Sequence, residues 1–374
     1  MLKLATVFSG IGAIEFALKR LNIDYEVVFA CDNGERDVDI DRVNEFERIK
    51  TLQTIQEKKE YVENLYKNKT RKINYMQKSY EENYSKEMQD GYFFQDICLL
   101  DGRDFKDCVD LFVGGSPCQS FSSVGFQGGL DDPRGNLFFE YARLVNEIQP
   151  KVFIYENVRN LQKHNKGETW KIVEETFSSL GYKISSEVLN SADFGIPQNR
   201  RRLFVVGIKK NLEFNFSNLT KKDLGFTLQD FLIDNAKEGN FFYNESGEIT
   251  IKKDPGEISP RYELTPGVLN YVLQGGTKNF YQKPELDLKV ARTLLKTMGN
   301  HHRAGIDNYI TVDKDANRYR QLTEREAHRL MGFTDDYKIV VSRNMAYQQA
   351  GNSIVVDVLM NIVRELMRIG ALER

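Results

Sequence analysis

Asp110-Leu-Phe-Val-Gly-Gly-Ser-Pro-Cys-Gln-Ser-Phe-Ser-Ser123 is the stretch from which the fold of this chain is read. The apolar run Leu111 to Val113, with an acid before it and glycines after it, predicts a buried strand. That strand runs into a Gly-Gly-Ser-Pro loop, and Cys118 sits in the loop. In open α/β sheets ligands collect beyond the carboxyl ends of the strands, so the position suits a reactive group. Pro117 fixes its own φ and restricts Ser116, which places the thiol on a stiff segment. A thiolate is the strongest side-chain nucleophile near neutral pH. A lone cysteine is more often a small buried apolar residue, so the case for Cys118 depends on its neighbours in the fold.

Upstream, Leu4-Ala-Thr-Val-Phe8 predicts a strand, Ser9-Gly-Ile-Gly12 a turn, and Ile14 to Leu21 a helix of 3.6-residue period. A strand, a glycine turn and a helix N-terminus form a cradle for nucleotide-like ligands. The turn has two glycines and lacks the third of the dinucleotide fingerprint. Tyr25 to Asp32 predicts a second strand with an acid at its tip, where a ribose would be held. Tyr92 to Ile97 predicts a third strand carrying Asp96. Downstream, Asn136 to Ile148 predicts a helix and Lys151 to Val158 a fifth strand with Glu156 near its end. Burying that carboxylate without a partner is costly, and its pKa should rise toward the range of a proton donor. A helix from Thr169, a sixth strand from Lys183 to Leu189 and a seventh after Gln198-Asn-Arg-Arg-Arg202 complete the pattern. Three guanidinium groups entering a strand offer fixed planar donors to a base or phosphate.

The chain has 374 residues, 41% hydrophobic and 28% charged, with a formal net charge of −2. This is the composition of a globular protein with more than one core. Its near-neutral balance argues against a protein that simply coats nucleic acid. Four cysteines without zinc spacing suggest reduced thiols in the cytoplasm rather than disulfides, and no metal site is expected. No apolar run is long enough to span a membrane. Residues from about 36 to 89 are rich in Lys, Glu, Asn and Tyr and read as a helical insertion. The insertion is either a solvated face or a clamp on phosphates. The βα alternation fades from about 209 to 315, predicting a smaller irregular domain. Thr323 and Glu326 predict a capping box, and Tyr347 to Ile354 is expected to open the last helix, Val355 to about Ile369.

The order of these motifs resembles the DNA cytosine-5 methyltransferase family: Pro-Cys-Gln after strand four, Glu-Asn-Val at strand five and Gln-x-Arg-x-Arg before strand seven. The resemblance implies an α/β, doubly wound, mostly parallel sheet of the S-adenosylmethionine-dependent methyltransferase fold. Residues 1–208 would form the catalytic domain, 209–315 the target-recognition domain and 316–374 a return to the catalytic domain. It also implies methyl transfer from S-adenosylmethionine, without a metal, to C5 of a flipped cytosine through a covalent adduct of Cys118 with C6. Glu156 would engage N3 and Arg202 would hold O2, with Arg200 supporting the cleft.

By the same resemblance, Phe8 would face the adenine, Gly10, Ile11 and Gly12 the methionine part, Asp32 the ribose and Asp96 the adenine amine. Ile97, Pro117 and Leu137 would line the cofactor pocket, and Asn352 and Ser353 would close it. Asp32 replaces the usual Glu, and Gln95 stands where Gly is common. Gln119, Ser122, Gln198, Arg292, Thr293 and Arg303 would touch the substrate. The implied partner is double-stranded DNA, recognised at a short sequence by a monomer, with a restriction endonuclease possible as a separate companion. A tRNA cytosine-5 methyltransferase, a non-catalytic DNA-binding regulator and a cysteine hydrolase using His164 are the competing readings.

Overall fold

The computed structural model describes residues 1–88, 91–117, 137–233, 241–252, 258–277 and 280–373. The first half contains β1 (Leu2–Val7), α1 (Ala13–Arg20), β2 (Tyr25–Cys31), α2 (Arg42–Ile49), α3 (Ile55–Lys69), α4 (Tyr75–Met88), β3 (Tyr92–Phe94) and β4 (Leu111–Gly114). It continues through α5 (Leu137–Ile148), β5 (Val152–Val158), α6 (Glu168–Ser179), β6 (Lys183–Asn190), β7 (Gln198–Asn199) and β8 (Arg201–Ile208). Six of these strands and β8 make one seven-stranded sheet in the order β3-β2-β1-β4-β5-β8-β6, the exception being the short β7. Only β8 runs against its neighbours. The sheet is thus doubly wound and mostly parallel, and its order reverses between β1 and β4. A ligand crevice belongs at that reversal, beyond the carboxyl ends.

Alternation along the strands feeds two cores. β1 gives Leu2 and Leu4 to one face and Ala5 and Val7 to the other. The second face is aromatic: Phe112 stacks on Tyr141 of α5 at 5.0 Å, and Phe153 packs on Phe177 of α6 at 4.7 Å. Central strands covered on both sides need the near-continuous apolar runs seen in the sequence.

The insertion is built of three helices. Asp41 caps α2, and a Thr54–Glu57 capping box starts α3, so each break has its own N-terminal signal. Helix α4 turns Tyr80 and Tyr84 into the first core and is kinked at Tyr84 (φ −131°).

Beyond β8 lie α7 (Leu228–Phe231), β9 (Phe241–Tyr243), β10 (Ile249–Ile251), α8 (Pro266–Val272), β11 (Gly276–Thr277), β12 (Phe280–Tyr281), β13 (Ala291–Arg292), β14 (Tyr309–Asp313) and β15 (Arg318–Gln321). Phe214, Phe216, Leu228, Phe231 and Phe241 pack into the first core, whereas Val272, Ala304 and Tyr309 form a small separate cluster with Leu264, Val268 and Leu286. The chain closes with α9 (Glu324–Arg329), α10 (Arg343–Asn352) and α11 (Val356–Arg368). The Thr323–Glu326 capping box starts α9. Tyr347 to Asn352 do not open the last helix: they end α10, and the extended residues Ser353 and Val355 separate it from α11. Helix α11 returns to pack on α1.

Candidate active site

Glu156 lies near the end of β5 with its side chain 14% exposed, and its Oε1 is 3.2 Å from Arg202 Nε across the β5–β8 pair. Burial pushes its carboxyl above the usual range, and the charges of Arg202 and Arg200 pull partly against that rise. The backbone that leads toward Cys118 runs directly against it. A Cβ at Gly115 would lie 2.5 Å from the Glu156 carbonyl oxygen and 3.0 Å from its Oε2, so only glycine allows this approach. Asn157, buried, donates through Nδ2 to the Ser116 carbonyl at 3.0 Å and to the Tyr155 hydroxyl at 2.8 Å. The Ser116 and Tyr155 hydroxyls are 2.7 Å apart. The loop base is thereby fixed to β5. Pro117 follows on the surface. Cys118, Gln119 and Ser122 lie outside the described residues. Burial raises the Cys31 and Cys98 thiols, so neither is a ready nucleophile.

Arg200 is 4% exposed and donates to three carbonyls: Leu294 at 3.0 Å, Gly351 at 3.0 Å and Ser353 at 2.8 Å. Burial, reinforced by Arg202, lowers its pKa to about 9. It is a strut between segments distant in sequence. Gln198 is another. Its motif predicts a place at the substrate, but it is wholly buried, with Nε2 on the Leu330 carbonyl and Oε1 taking the Leu294 amide. No face of it is left for a ligand. Short β7 pairs in parallel with β13, which sets Thr293 Oγ1 on the Asn199 carbonyl at 2.6 Å. Val158, Arg159, Asn160, Asn199, Arg201, Arg202 and Thr293 line an open cavity of about 420 Å³. Arg292 and Arg303 do not line it. Arg292 is bound to Glu285 at 2.9 Å, and the Arg303 guanidinium stands 5.5 Å over the Tyr271 ring.

A second cavity lies at the sheet's reversal point, lined by Thr6 to Ile11, Ala13, Ile14, Val113, Gly114, Asn352, Ser353, Ile354 and Leu359. Phe8, Gly10 and Gly12 all have positive φ (51°, 54° and 77°). Asp32 accepts from the Gly10 amide at 2.9 Å and the Gly34 amide at 2.8 Å, which ties the turn to β2. Burial raises its carboxyl despite these bonds. Asp96 caps the turn after β3: Oδ1 takes the Cys98 amide at 3.0 Å, while Oδ2 takes Arg42 Nε and the Tyr66 hydroxyl, both at 2.9 Å. Ile97 is packed in the aromatic core, and Leu137 is half-buried against it.

The insertion also reaches this site. The Tyr84 hydroxyl donates to the Gly12 carbonyl at 2.7 Å, and its ring fills the space a Gly12 side chain would need. Asn74 Nδ2 donates to the Asp32 carbonyl at 2.7 Å. Sequence reasoning missed Arg42, Tyr66, Asn74 and Tyr84. Their one sequence signal is tyrosine recurring at helical spacing, Tyr80 and Tyr84, in a stretch otherwise charged.

The sequence pattern described as C-5 cytosine-specific DNA methylase matches residues 46–368. The chain belongs to that family. Among curated members, it is 32% identical to the type II methyltransferase M.HhaI of Haemophilus parahaemolyticus, over 77% of this chain and 83% of that one. It is 32% identical to M1.ScrFI of Lactococcus lactis subsp. cremoris, over 78% and 69%. The orphan methyltransferase M.SPRI of Bacillus phage SPR is 27% identical over 98% and 97%. In fold the chain is similar to the solved S. pombe Dnmt2 methyltransferase, with a TM-score of 0.66 and 18% identity over 98% of this chain and 99% of that one.

As a C-5 cytosine-specific DNA methylase the chain is an enzyme that methylates DNA, and the family is S-adenosylmethionine-dependent. The residues fit that donor. A glycine turn opens on the uncapped N-terminus of α1, and a Cβ at Gly114 would lie 2.6 Å from the Val7 carbonyl oxygen, so the floor is backbone. Acids stand at the ends of β2 and β3. Among the described residues no group of His, Cys, Asp or Glu is arranged to hold a metal, and no helix is long and apolar enough to cross a membrane.

Proposed function

We propose that the chain methylates C5 of a cytosine swung out of duplex DNA, through a transient bond between Cys118 and C6. The Glu156–Arg202 pair carries this reading: Arg202 lines a cavity at the strand ends, and the loop that continues to Cys118 runs against the paired carboxylate. Extruding the base costs roughly a few kcal/mol. The Cys118 thiolate adds to C6 and pushes an electron pair toward C5. Protonated Glu156 donates to N3, so negative charge does not collect on the ring. Arg202 holds O2 and keeps Glu156 in place; Arg200 fixes the strand beneath. S-adenosylmethionine supplies an electrophilic methyl carbon when bound. Loss of the C5 proton to solvent and expulsion of Cys118 release the product.

Phe8, the Gly10–Gly12 turn and Asp32 would hold the donor, with Asp96 at the adenine and Ser353 and Asn352 at the rim. The small unit around Val272 and Tyr309 would face the DNA as the target-reading part, and there Tyr271 and Tyr281 are 47% and 70% exposed. A restriction endonuclease acting separately would be the companion where the role is that of the type II relatives. Cys118→Ser should abolish formation of 5-methylcytosine in duplex DNA while cofactor affinity, measured by equilibrium dialysis, is retained. Turnover by that variant would remove the covalent route. Methyl incorporation into tRNA in preference to duplex DNA would move the substrate to RNA.

A further inference from the structure

A third, wide cleft lies apart from both of these cavities. It holds about 1010 Å³ between α3 and α4, outside the carboxyl ends of β2 and β3, with Lys338 at one rim. Its floor is polar. Arg36 is 8% exposed, with its guanidinium 4.9 Å over the Tyr66 ring and its Nε on the Asn33 carbonyl. Gln95 accepts from Arg36 and Asn74 and donates to Gln77.

The walls are unbalanced in free charge. Glu63 is bound to Lys59 at 2.6 Å and Glu82 to Lys338 at 2.8 Å; Glu81, which accepts from the neutral Gln77 at 2.7 Å, is the one acid of the walls that keeps its charge without an ion pair among the described residues. The side chains of Lys67, Arg71, Lys72 and Lys78 have no ion pair or hydrogen bond among the described residues. Lys58, more than two turns away on α3, shows the contrast: it is buried against Asp101 and Asp104. In a chain of net charge −2, four cations without an ion pair, of which only Lys78 acts on a wall acid by helping Lys338 to lower the Glu82 pKa, leave this polar cleft with an excess of positive charge.

The cleft shares no lining residue with the cavity at the glycine turn. Tyr66 stands between the two regions, its hydroxyl on Asp96 and its ring beneath Arg36. Toward the active cavity the connection runs through Glu35 and Lys296. Glu35, next to Arg36, accepts from Lys296 at 3.0 Å and from Asn352 at 2.9 Å, and Lys296 lies three residues past Thr293 of that cavity. Cleft and cavity therefore lie along one edge of the sheet.

We propose that the α3–α4 cleft takes the phosphodiester backbone of DNA flanking the target, as a second contact outside the active cavity. This rests on the reading of duplex DNA as substrate. Each cation placed on a phosphate releases condensed counterions, so the contact is read in salt dependence. The test combines Lys67→Gln, Arg71→Gln, Lys72→Gln and Lys78→Gln and compares binding to a short duplex holding little beyond the target with binding to a long one.

For the unaltered enzyme, the plot of log affinity against log salt should be steeper on the long duplex. In the variant that excess should vanish, at about 0.9 of slope for each phosphate no longer neutralised. Short-duplex binding and cofactor affinity should stay unchanged. Equal slopes for variant and unaltered enzyme on the long duplex would overturn the proposal, as would an equal weakening on both lengths. A nucleoside triphosphate bound by the unaltered enzyme but not by the variant, with DNA binding intact, would assign the cleft to a free nucleotide instead. No duplex binding by the unaltered enzyme would refute the substrate reading itself, and the cleft's role in DNA binding with it.

Discussion

Glu156 and Arg200 are displaced in opposite directions by the same cause. Burial disfavours the charged form of each, raising the acid and lowering the base to about 9. The outcomes differ because Arg200 spends its donors on three backbone carbonyls, whereas Glu156 is paired with Arg202, which lines the cavity. A raised carboxyl keeps its proton to higher pH, so any rate that needs protonated Glu156 should fall as pH rises through the folded value. Glu156→Gln should lower kcat by roughly 10²–10⁴-fold and abolish that alkaline fall, with cofactor affinity unchanged. A pH–rate profile with the same limb in the variant would remove Glu156 as the proton donor. Glu156 and Arg202 stand out in the sequence because each sits in a short motif at a strand end; their ion pair across β5 and β8 does not. Gln198 misled for the same reason: its motif marks a position, but only packing shows that its amide is consumed inside.

At the scale of elements, the sheet was readable because its strands are short apolar runs punctuated by Gly and Pro. The insertion was readable as helix but not as part of a site. Its useful side chains reach residues far away in sequence, and a charged amphipathic stretch looks the same whether or not its tyrosines are buried. Tyr80 of α4 donates to Glu15 of α1 at 2.5 Å, and Thr6 donates to the same oxygen at 3.2 Å. Glu15 is wholly buried, and its other oxygen has no partner among the described residues. Burial raises its pKa from 4.5 to about 7. Between these values the folded chain binds more protons than the unfolded one, so stability falls as pH rises from about 4.5 to 7 and levels above. Glu15→Gln cannot ionise, and the difference in urea midpoint between it and the unaltered protein should shift in its favour across that window. Parallel pH curves would show that Glu15 titrates alike in both states.

At the scale of the whole molecule, the C-terminal helices belong to the core they close. Helix α11 buries seven apolar side chains, Val356, Val358, Leu359, Met360, Ile362, Val363 and Leu366, in the first core, where it packs on α1. At about 1.5–3 kcal/mol for each fully buried side chain, this packing is worth about 10–20 kcal/mol. That matches or exceeds the roughly 5–15 kcal/mol that holds a whole domain folded. Polar staples act in the same place: Arg20, wholly buried, bonds the carbonyls of Gly247 and Gly332 and pairs with Asp357 at 2.8 Å. Arg200 likewise needs the carbonyls of Gly351 and Ser353. A chain ending at residue 342 would leave both guanidinium groups short of partners and the α1 face open to water. It should therefore aggregate, or bind a hydrophobic dye without a cooperative thermal transition. A soluble 1–342 chain that melts cooperatively and still binds the cofactor would mean that the first 342 residues close the core on their own, with α10 and α11 as additions to it.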